Sequence, residues 1–279
     1  MKHQEFNFSL YKTLFYGQYW KPETSKAVII LVHGMGEHSG RYTEFVVPSL
    51  LQNGFAVITF DQFGHGKTSG KRGHCPSFEA VLESLDQVIE KATAVFGNLP
   101  QFLYGHSMGG NVVLNYALRR KHSIRGIIAS SPFLKLAFQP PTWKLSLGKI
   151  LQKIAPSITL NNELDPRDIS RDPIEVQKYI SDPLVHDQIS PNFSLTFIET
   201  GAWALEHATQ LTAPTLMLHG TGDKIIDFHG SEDFARENKN IDLMLYENGA
   251  HELQHDLCKE ELMNDMMQWL TNTLRSKNA

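Results

Sequence analysis

The sequence predicts an α/β fold in which helices flank a mostly parallel central sheet and a helical insertion interrupts the pattern. Short apolar runs alternate with amphipathic helical segments along most of the chain. This alternation stops after residue 132 and resumes near residue 214. In addition, a Gly-x-Ser-x-Gly sequence at 105–109 joins an apolar run to a helical segment, a context that favours a nucleophile at a strand-to-helix turn.

The amino-terminal part predicts an edge hairpin followed by strand–helix units. Residues 6–20 alternate aromatic and polar side chains, which is typical of an antiparallel hairpin. Residues 26–33 form a continuous apolar run, as expected for a strand that is buried on both faces. Hydrophobic spacing then predicts a helix at 42–53, a strand at 55–60 and a long amphipathic helix at 78–96.

The alternation continues on both sides of the insertion. An apolar strand precedes Gly105, and Val112, Val113 and Tyr116 recur at helical spacing after Ser107. The other elements that we predict are strands at 126–130, 214–220 and 241–246 and helices at 230–237 and 259–274. Strands and helices that alternate in this way indicate a mostly parallel sheet with helices on both faces.

The insertion is predicted to be a helical cap over the carboxyl ends of the strands. We assign it residues 133–208, between core segments 1–132 and 209–279; from 133 to about 212 the chain is rich in proline and has no clear strand. Two apolar stripes at helical spacing run through it: Trp143, Leu147, Ile150, Leu151 and Ile154, and then Leu195, Ile198, Ala202 and Leu205. We expect the first stripe to pack against the core or line a pocket, with contact to a membrane surface as the alternative.

The composition indicates a globular protein without a nucleic-acid or metal partner. Hydrophobic residues make up 41% of the 279 residues, and the net charge of −4 gives no basic surface for nucleic acid. Cys75 and Cys258 lie in no zinc-ligand spacing, so we expect reduced thiols and no metal or other cofactor. No signal-peptide core or membrane-length apolar run is visible. We therefore expect a cytoplasmic protein, with peripheral membrane association left open.

Ser107 is the candidate nucleophile. A serine in a sharp turn between a strand and a helix needs neighbours without a Cβ, and Gly105 and Gly109 meet this need. Such a turn exposes the hydroxyl at the end of the sheet, close to the free N–H groups at the start of the helix. An ordinary glycine-rich loop is the other interpretation, and the strand and helix around the motif favour the nucleophile.

A serine nucleophile needs a base and a third group that orients the base. In a sheet of this kind, both are expected in loops at the carboxyl ends of later strands. Asp223 and His251 directly follow the two strands that come after the insertion, and the order Ser, Asp, His is one that such triads use. Asp227, four residues after Asp223, and His255, which falls beyond the second loop, are the rival positions. A plain turn residue is the other interpretation of Asp223, and a surface histidine is that of His251.

Two backbone N–H groups are expected to hold the oxyanion that forms during acyl transfer. One belongs to Met108, the residue after the nucleophile. The other comes from the loop that follows the strand at 26–33, where Met35 is the candidate. We expect His33 to order this loop rather than to carry a proton.

Five segments together resemble the monoacylglycerol lipase and lysophospholipase branch of the α/β-hydrolases. They are His-Gly-Met-Gly-Glu-His-Ser-Gly-Arg-Tyr at 33–42, Asp-Gln-Phe-Gly-His-Gly at 61–66, Gly-His-Ser-Met-Gly at 105–109, Ser-Asp-Pro-Leu at 181–184 and Gly-Thr-Gly-Asp at 220–223. They extend over nearly the whole chain. The resemblance implies the α/β-hydrolase fold, a triad of Ser107, Asp223 and His251, and Met35 and Met108 as the oxyanion donors.

The resemblance also implies a lid-like cap over an apolar acyl pocket, with a polar end that holds the glycerol group. The matching positions are Glu37, Arg41, His106 and Tyr179. Glu37 and Arg41 are four residues apart, so an ion pair that braces the oxyanion loop is at least as good an interpretation as contact with the ligand. One position departs from the family, because Gln254 stands where mammalian members have a second histidine.

The activity that the resemblance implies is hydrolysis of a lipid ester, a monoacylglycerol or a lysophospholipid, through an acyl-enzyme. A carboxylesterase or thioesterase for short or aromatic acyl groups would need the same triad. A non-catalytic receptor with this fold is the alternative of a different class, although every triad position is present. A peptidase is less favoured because the insertion has no clear acidic cluster for an amine, although Glu163 and Asp165 keep this alternative open. Ser107 disfavours the hydrolases that use an aspartate nucleophile.

Overall fold

The computed structural model describes residues 2–236 and 238–276. These residues form an eight-stranded mixed sheet in the order β1-β2-β4-β3-β5-β6-β9-β10 and a separate two-stranded ribbon, β7-β8. The strands are β1 (Lys2–Leu10), β2 (Thr13–Lys21), β3 (Ala27–Val32), β4 (Phe55–Phe60), β5 (Gln101–His106), β6 (Gly126–Ser130), β7 (Leu160–Asn161), β8 (Gln188–Ile189), β9 (Thr215–Gly220) and β10 (Ile241–Tyr246). β1 and β2 form the antiparallel edge, and every pairing from β4 to β10 in the large sheet is parallel.

Helices connect the parallel strands. They are α1 (Val46–Gln52), α2 (Phe78–Phe96), α3 (Met108–Arg119), α4 (Thr142–Ile154), α5 (Pro173–Ser181), α6 (Pro191–Glu206), α7 (Phe228–Ala235) and α8 (Lys259–Arg275). The sequence-based assignments of the hairpin, the parallel strands and the long helices are confirmed. The predicted helix at 42–53 is instead a 3₁₀ turn at Ser39–Tyr42 followed by α1. Glu237, the predicted last residue of α7, lies outside the described residues.

Strand β3 explains why the apolar run near the amino terminus is continuous. Because side chains alternate between the faces of a strand, Val28, Ile30 and Val32 join the hydrophobic core on one face of the sheet. Ile29 and Leu31 join the separate core on the other face. Every residue of β3 is buried, so the sheet is covered by helices on both sides at this strand.

The segment between β6 and β9 departs from the sequence-based expectation in two ways. It was expected to contain no strand, but β7 and β8 pair antiparallel within it. The stripe on α4 was expected to pack or line a pocket, and this was wrong, because no residue of α4 is buried. Trp143 is 62% exposed, Leu147 45%, Ile150 56% and Ile154 73%.

The stripe predicted on α6 was correct in part. Leu195 is buried and Leu205 packs against the core, whereas Ala202 is exposed. The buried residues of α6 also include Phe193, Phe197 and Ala204, which lie outside the predicted stripe. The difference arises from packing against the segment after β6, since a Cβ on Gly201 would lie 2.6 Å from the carbonyl oxygen of Leu134. This close approach turns the phenylalanine side of α6 inward.

Two findings on the described residues bear on partners. No helix among them is long and apolar enough to cross a membrane. Within the same residues, no group of three or more His, Cys, Asp or Glu side chains is arranged to hold a metal ion. Cys75 and Cys258 are free thiols.

Candidate active site

Ser107 lies at the junction of β5 and α3 with φ +53° and ψ −114°. Positive φ is strained for a residue with a side chain, and such strain persists only where the surroundings enforce it. The two flanking glycines allow the turn. A Cβ on Gly105 would collide with the carbonyl oxygen of Gly109, and a Cβ on Gly109 would collide with that of Val32. Strand and helix therefore approach closely only because both positions are glycine.

His251 connects Ser107 to Asp223. Its Nε2 lies 2.9 Å from Ser107 Oγ, and its Nδ1 lies 2.7 Å from Asp223 Oδ2. Because an ionised carboxylate only accepts hydrogen bonds, Nδ1 carries the proton and Nε2 is left to accept the serine hydroxyl. The three residues that sequence reasoning selected are thus in hydrogen-bond contact, and all three are buried.

The charges of Asp223 and His251 support each other. Burial alone would raise the pKa of Asp223, but the charge of His251 and hydrogen bonds from His219 and His251 hold that pKa far below its usual range. Burial alone would lower the pKa of His251, but the charge and hydrogen bond of Asp223 outweigh it and raise the pKa. Asp223 is therefore a stable anion, and His251 accepts a proton more readily than an isolated buried imidazole.

The loop after β3 runs beside Ser107. A Cβ on Gly34 would lie 3.3 Å from the Cβ of Ser107. Met35, the next residue of this loop, is half-buried. Met108 is fully buried in the first turn of α3, where backbone N–H groups have no partner within the helix. The two predicted oxyanion donors thus belong to segments that meet at Ser107.

A buried ionic network holds this loop. Glu37 Oε1 accepts hydrogen bonds from the Gly34 N–H at 2.6 Å and from the Tyr42 hydroxyl at 2.7 Å. Glu37 Oε2 pairs with Arg41 at 2.9 Å. The guanidinium of Arg41 also forms two bonds, at 2.6 and 2.7 Å, to the two carboxylate oxygens of Glu252. Glu37 and Arg41 therefore form the ion pair that was expected to brace this loop.

His106 and Tyr179, the other two predicted substrate contacts, lie close to these groups. The ring of His106 is 4.9 Å from that of His251, and burial together with His251 lowers the pKa of His106 to about 4, so it is neutral near pH 7. Its Nδ1 is buried and has no hydrogen-bond partner among the described residues. Arg41 stacks over the ring of Tyr179 at 4.8 Å.

The rival positions make other contacts. Asp227 caps α7 and pairs with Lys135 at 2.8 Å. His255 Nδ1 lies 2.9 Å from Glu252 Oε2. Gln254 is fully buried, and within residues 2–236 and 238–276 its side-chain amide has no hydrogen-bond partner. Asp227 and His255 are thus bound away from the Ser107 hydroxyl.

Glu252 and His219 contact the candidate triad or the network beside it through their side chains, and neither was predicted as a site residue. Glu252 directly follows His251, and an acidic residue at that place was the only signal that the sequence offered. His219 lies near the end of an otherwise apolar strand, at 3.2 Å from Asp223 Oδ2. A polar residue near the end of a buried strand was its signal.

A cleft of about 530 Å³ opens beside Arg41, between the loop after β3, α5 and the start of α8. Its wall includes Lys178 and Lys259 as well as Glu44 and Glu175, so it carries charges of both signs. Lys178 already pairs with Glu44 at 2.7 Å. The apolar acyl pocket that the sequence resemblance implies stays a prediction.

A parallel sheet on which a nucleophile turn, an acidic loop and a histidine loop follow in this chain order defines the α/β-hydrolase class. Similarity to known proteins narrows the class. The family model described as serine aminopeptidase, S33, matches residues 23–257. The chain is 30% identical to the monoacylglycerol lipase of Mycolicibacterium smegmatis over 91% of this chain and 92% of that protein.

Two further similarities extend over most of this chain. The crystal structure of Paleococcus ferrophilus monoacylglycerol lipase has a TM-score of 0.83 and 36% identity, covering 98% of this chain and 100% of that one. An abhydrolase-domain protein of Dictyostelium discoideum is 36% identical over 92% of this chain, which spans only 28% of that relative. The chain therefore belongs to the monoacylglycerol lipase-like family of α/β-hydrolases.

Proposed function

We propose that this chain is a serine hydrolase that cleaves monoacylglycerols to a fatty acid and glycerol, with lysophospholipids as the second substrate candidate. The observation that supports this most directly is the position of His251, within 2.9 Å of Ser107 Oγ and 2.7 Å of Asp223 Oδ2. The relatives named monoacylglycerol lipase support the substrate class.

In the proposed acylation step, His251 Nε2 takes the hydroxyl proton of Ser107 while the oxygen attacks the ester carbonyl carbon. The carbonyl electron pair moves to its oxygen, and the N–H groups of Met35 and Met108 stabilise the resulting oxyanion. When the tetrahedral intermediate collapses, the ester C–O bond breaks and His251 gives its proton to the departing glycerol oxygen. The acyl group is then bound to Ser107.

Deacylation repeats these transfers with water as the nucleophile. His251 takes a proton from water, the hydroxide oxygen attacks the acyl carbon, and the bond to Ser107 Oγ breaks as His251 returns the proton to it. Asp223 stays ionised throughout and holds the imidazole in one tautomer, since its low pKa opposes protonation. The fatty acid leaves and the serine is regenerated.

The polar end of the site is assigned to His106 and Tyr179. His106 Nδ1 has no partner among the described residues, and the Tyr179 hydroxyl lies beside the loop after β3, 3.4 Å from where a Cβ on Gly36 would be. These two groups are available to the glycerol hydroxyls. Glu37 and Arg41 are assigned mainly to the loop, because their charges are already paired.

We assign residues 133–208 the role of a cap on core segments 1–132 and 209–279. The His186 N–H donates to the carbonyl oxygen of Gly36 at 2.9 Å, so this segment is bonded to the loop that supplies Met35. Ile169 of the segment also forms a small apolar cluster with Ile225 and Ile226, which follow Asp223. This cluster supplies apolar surface from both parts near the proposed triad.

We further propose that the exposed stripe on α4 contacts a lipid surface. Trp143 and Ile154 mark its two ends, at 62% and 73% exposure, and the flanking side chains include Lys149 and Lys153. An apolar face with basic flanks is typical of helices that lie at a membrane interface. Contact there would bring the cap to the source of a poorly soluble substrate.

Vesicle sedimentation tests the α4 surface. Replacing Trp143 and Ile154 by serine should lower the bound fraction on vesicles with anionic lipid, while hydrolysis of a soluble short-chain ester stays at the native rate. Ile174→Ser is the matched control, since Ile174 is 66% exposed on α5, outside the stripe. Equal binding by the double variant and the native chain would contradict the proposed contact.

A chain-length series tests the proposed activity. Fatty-acid release is measured on monoacylglycerols of increasing acyl length, beside lysophosphatidylcholine and short p-nitrophenyl esters, with Ser107→Ala as the control. We expect a maximum at medium or long monoacylglycerols, lowered by several orders of magnitude in Ser107→Ala. A maximum on acetate or butyrate esters with long glycerides untouched would support the carboxylesterase alternative instead.

A further inference from the structure

His219 is a buried residue that the proposed reaction does not use. It is the penultimate residue of β9 and is fully buried. Its Nε2 lies 3.2 Å from Asp223 Oδ2, and its Nδ1 lies 2.7 Å from the hydroxyl oxygen of Ser231. Ser231 belongs to α7 and is also fully buried. A chain of side chains therefore runs from α7 through β9 to the carboxylate of the proposed triad.

Among the described residues, the carboxylate of Asp223 has four hydrogen-bond donors, two on each oxygen. Oδ1 accepts the backbone N–H groups of Ile225 and Ile226 at 2.8 and 3.0 Å. Oδ2 accepts His251 Nδ1–H and His219 Nε2–H. Because the carboxylate cannot donate, His219 must carry its proton on Nε2, and the Ser231 hydroxyl holds the other edge of the same ring.

We propose that His219, held by Ser231, is a positioning residue of the hydrolytic site. His219 shares Asp223 Oδ2 with His251, and it thereby limits how strongly the carboxylate stabilises the protonated form of His251. The inference rests on the proposed function, because it assigns His219 an effect on the base of that reaction. It adds a residue that acts on the base through the aspartate.

The direction of the effect follows from the geometry. The two backbone bonds to Oδ1 keep the carboxylate anchored when His219 is replaced, so the carboxylate does not swing away. With one donor fewer on Oδ2, more of its negative charge acts on the imidazole of His251, which then binds its proton more tightly. The pKa of His251 rises, and the enzyme loses its neutral base at a higher pH.

Other ionisable groups that act on His251 are unaffected by this change. Glu252 and Glu37 raise the pKa of His251, and both stay paired with Arg41. His106 stands 4.9 Å from His251 and is neutral near pH 7. None of these contributions depends on β9 or α7, so a change at His219 isolates the shared oxygen.

The test is a pH profile of kcat/KM on a soluble p-nitrophenyl ester for four variants in the full chain. His219→Leu removes the donor at similar volume. His219→Gln keeps an amide N–H at about the reach of Nε2, and Ser231→Ala removes the support of the ring. His229→Gln is the matched control, because His229 is exposed on α7.

We expect the acid limb of His219→Leu to move up by roughly half a pH unit or more, with a smaller upward shift in Ser231→Ala. The acid limbs of the pH profiles of His219→Gln and His229→Gln should coincide with that of the native protein. A histidine that only fills the core would change stability and leave every limb in place, and that result would overturn the proposal. A downward shift in His219→Leu would also overturn it. If His219→Leu does not fold, an unshifted limb in Ser231→Ala is the overturning result.

Failure of this inference is distinguishable from failure of the proposed function. Ser107→Ala is measured in the same assay. If Ser107→Ala hydrolyses the ester at the native rate, the proposed nucleophile is wrong. If Ser107→Ala is inactive and the limb of His219→Leu coincides with the native limb, the triad stands and only the role of His219 is refuted.

Discussion

Replacement of Arg41 is the strongest test of whether the buried ion pairs stabilise the loop after β3. Its side chain is only 6% exposed, and those of Glu37 and Glu252 are 1% and 4% exposed. Arg41→Met keeps the apolar stem and removes the guanidinium, so its three hydrogen bonds to the carboxylates of Glu37 and Glu252 are lost at once. Two carboxylates then stay buried without their cation.

The expected cost is large because the pair is buried. Removing one partner of a buried ion pair costs about 3–5 kcal/mol. Because Arg41 serves two carboxylates, we expect a loss of about 5 kcal/mol at neutral pH. For a chain of this size, that corresponds to a fall in Tm of about 10 °C. Arg41→Lys keeps a charge but loses the fork that binds both oxygens of Glu252, so its loss should be about half as large.

The loss should also depend on pH. In the native chain, burial opposes the charge of Glu37 and Glu252, but Arg41 outweighs it and lowers both pKa values. A group with a lowered folded pKa contributes stability above its unfolded pKa and loses it as the pH falls through the folded value. Without Arg41 the pKa values of Glu37 and Glu252 rise. As the pH falls, these carboxylates therefore become neutral in the variant before they do so in the native protein, and the cost of burying their charge is removed. The difference in free energy of unfolding between variant and native should therefore be smaller at about pH 5 than at about pH 7.5.

Urea unfolding followed by circular dichroism measures these differences, with fatty-acid release recorded on the same samples. Arg41→Met with Glu252→Gln should recover part of the stability, because one unpaired charge is removed. A free energy of unfolding for Arg41→Met within about 1 kcal/mol of native at neutral pH would refute the bracing role. Selective loss of glycerol-ester affinity with native stability would instead favour direct contact with the ligand.

Three further predictions follow from the site. Gly36→Ala should lower both Tm and kcat, because Gly36 has φ +76° and a Cβ there would lie 2.6 Å from the carbonyl oxygen of His186; native values of both would contradict the packing. Asp223→Asn should lower kcat by about 10⁴ while leaving the circular dichroism spectrum unchanged. In a pH series, kcat/KM should fall on the acid side with a midpoint above about pH 6.5. The reason is that Asp223 outweighs burial and raises the pKa of His251. A lower midpoint would contradict this effect of Asp223 on His251.

The parts of the fold that the sequence predicts best are those whose pattern depends on local geometry. The continuous apolar run of β3 requires that both faces of the strand are buried, whichever elements pack against them. The turn at Ser107 requires glycines at 105 and 109, because the strand before it and the helix after it approach each other closely there. Both features are visible in the residues themselves, and both were predicted correctly.

The insertion was predicted less well because periodicity identifies an apolar face and not its partner. On α4 the stripe was real, but it lies on the surface, with Ile154 73% exposed. On α6 the predicted Leu195 is buried, but packing beside Leu134 also buries Phe193 and Phe197 and leaves the predicted Ala202 exposed. Tertiary contact decided the outcome in both helices.

The unpredicted residues near the site share a physical reason. Glu252 meets Arg41, which is 211 residues away in the chain. His219 meets Ser231 only because α7 packs on β9. Such pairs carry no local pattern, since their meaning depends on which loops the sheet brings together. The triad was easier to predict because the order of its strands fixes the order of its loops.

The assignment of the nucleophile is tested by identifying the residue that reacts with an acyl-like probe. The folded chain is treated with a fluorophosphonate probe, with and without excess monoacylglycerol, and the labelled peptide is sequenced by mass spectrometry. We expect one adduct on Ser107 that monoacylglycerol prevents and that is absent from Ser107→Ala. An adduct on another residue, or no adduct in folded protein, would contradict the assignment of Ser107 as the nucleophile.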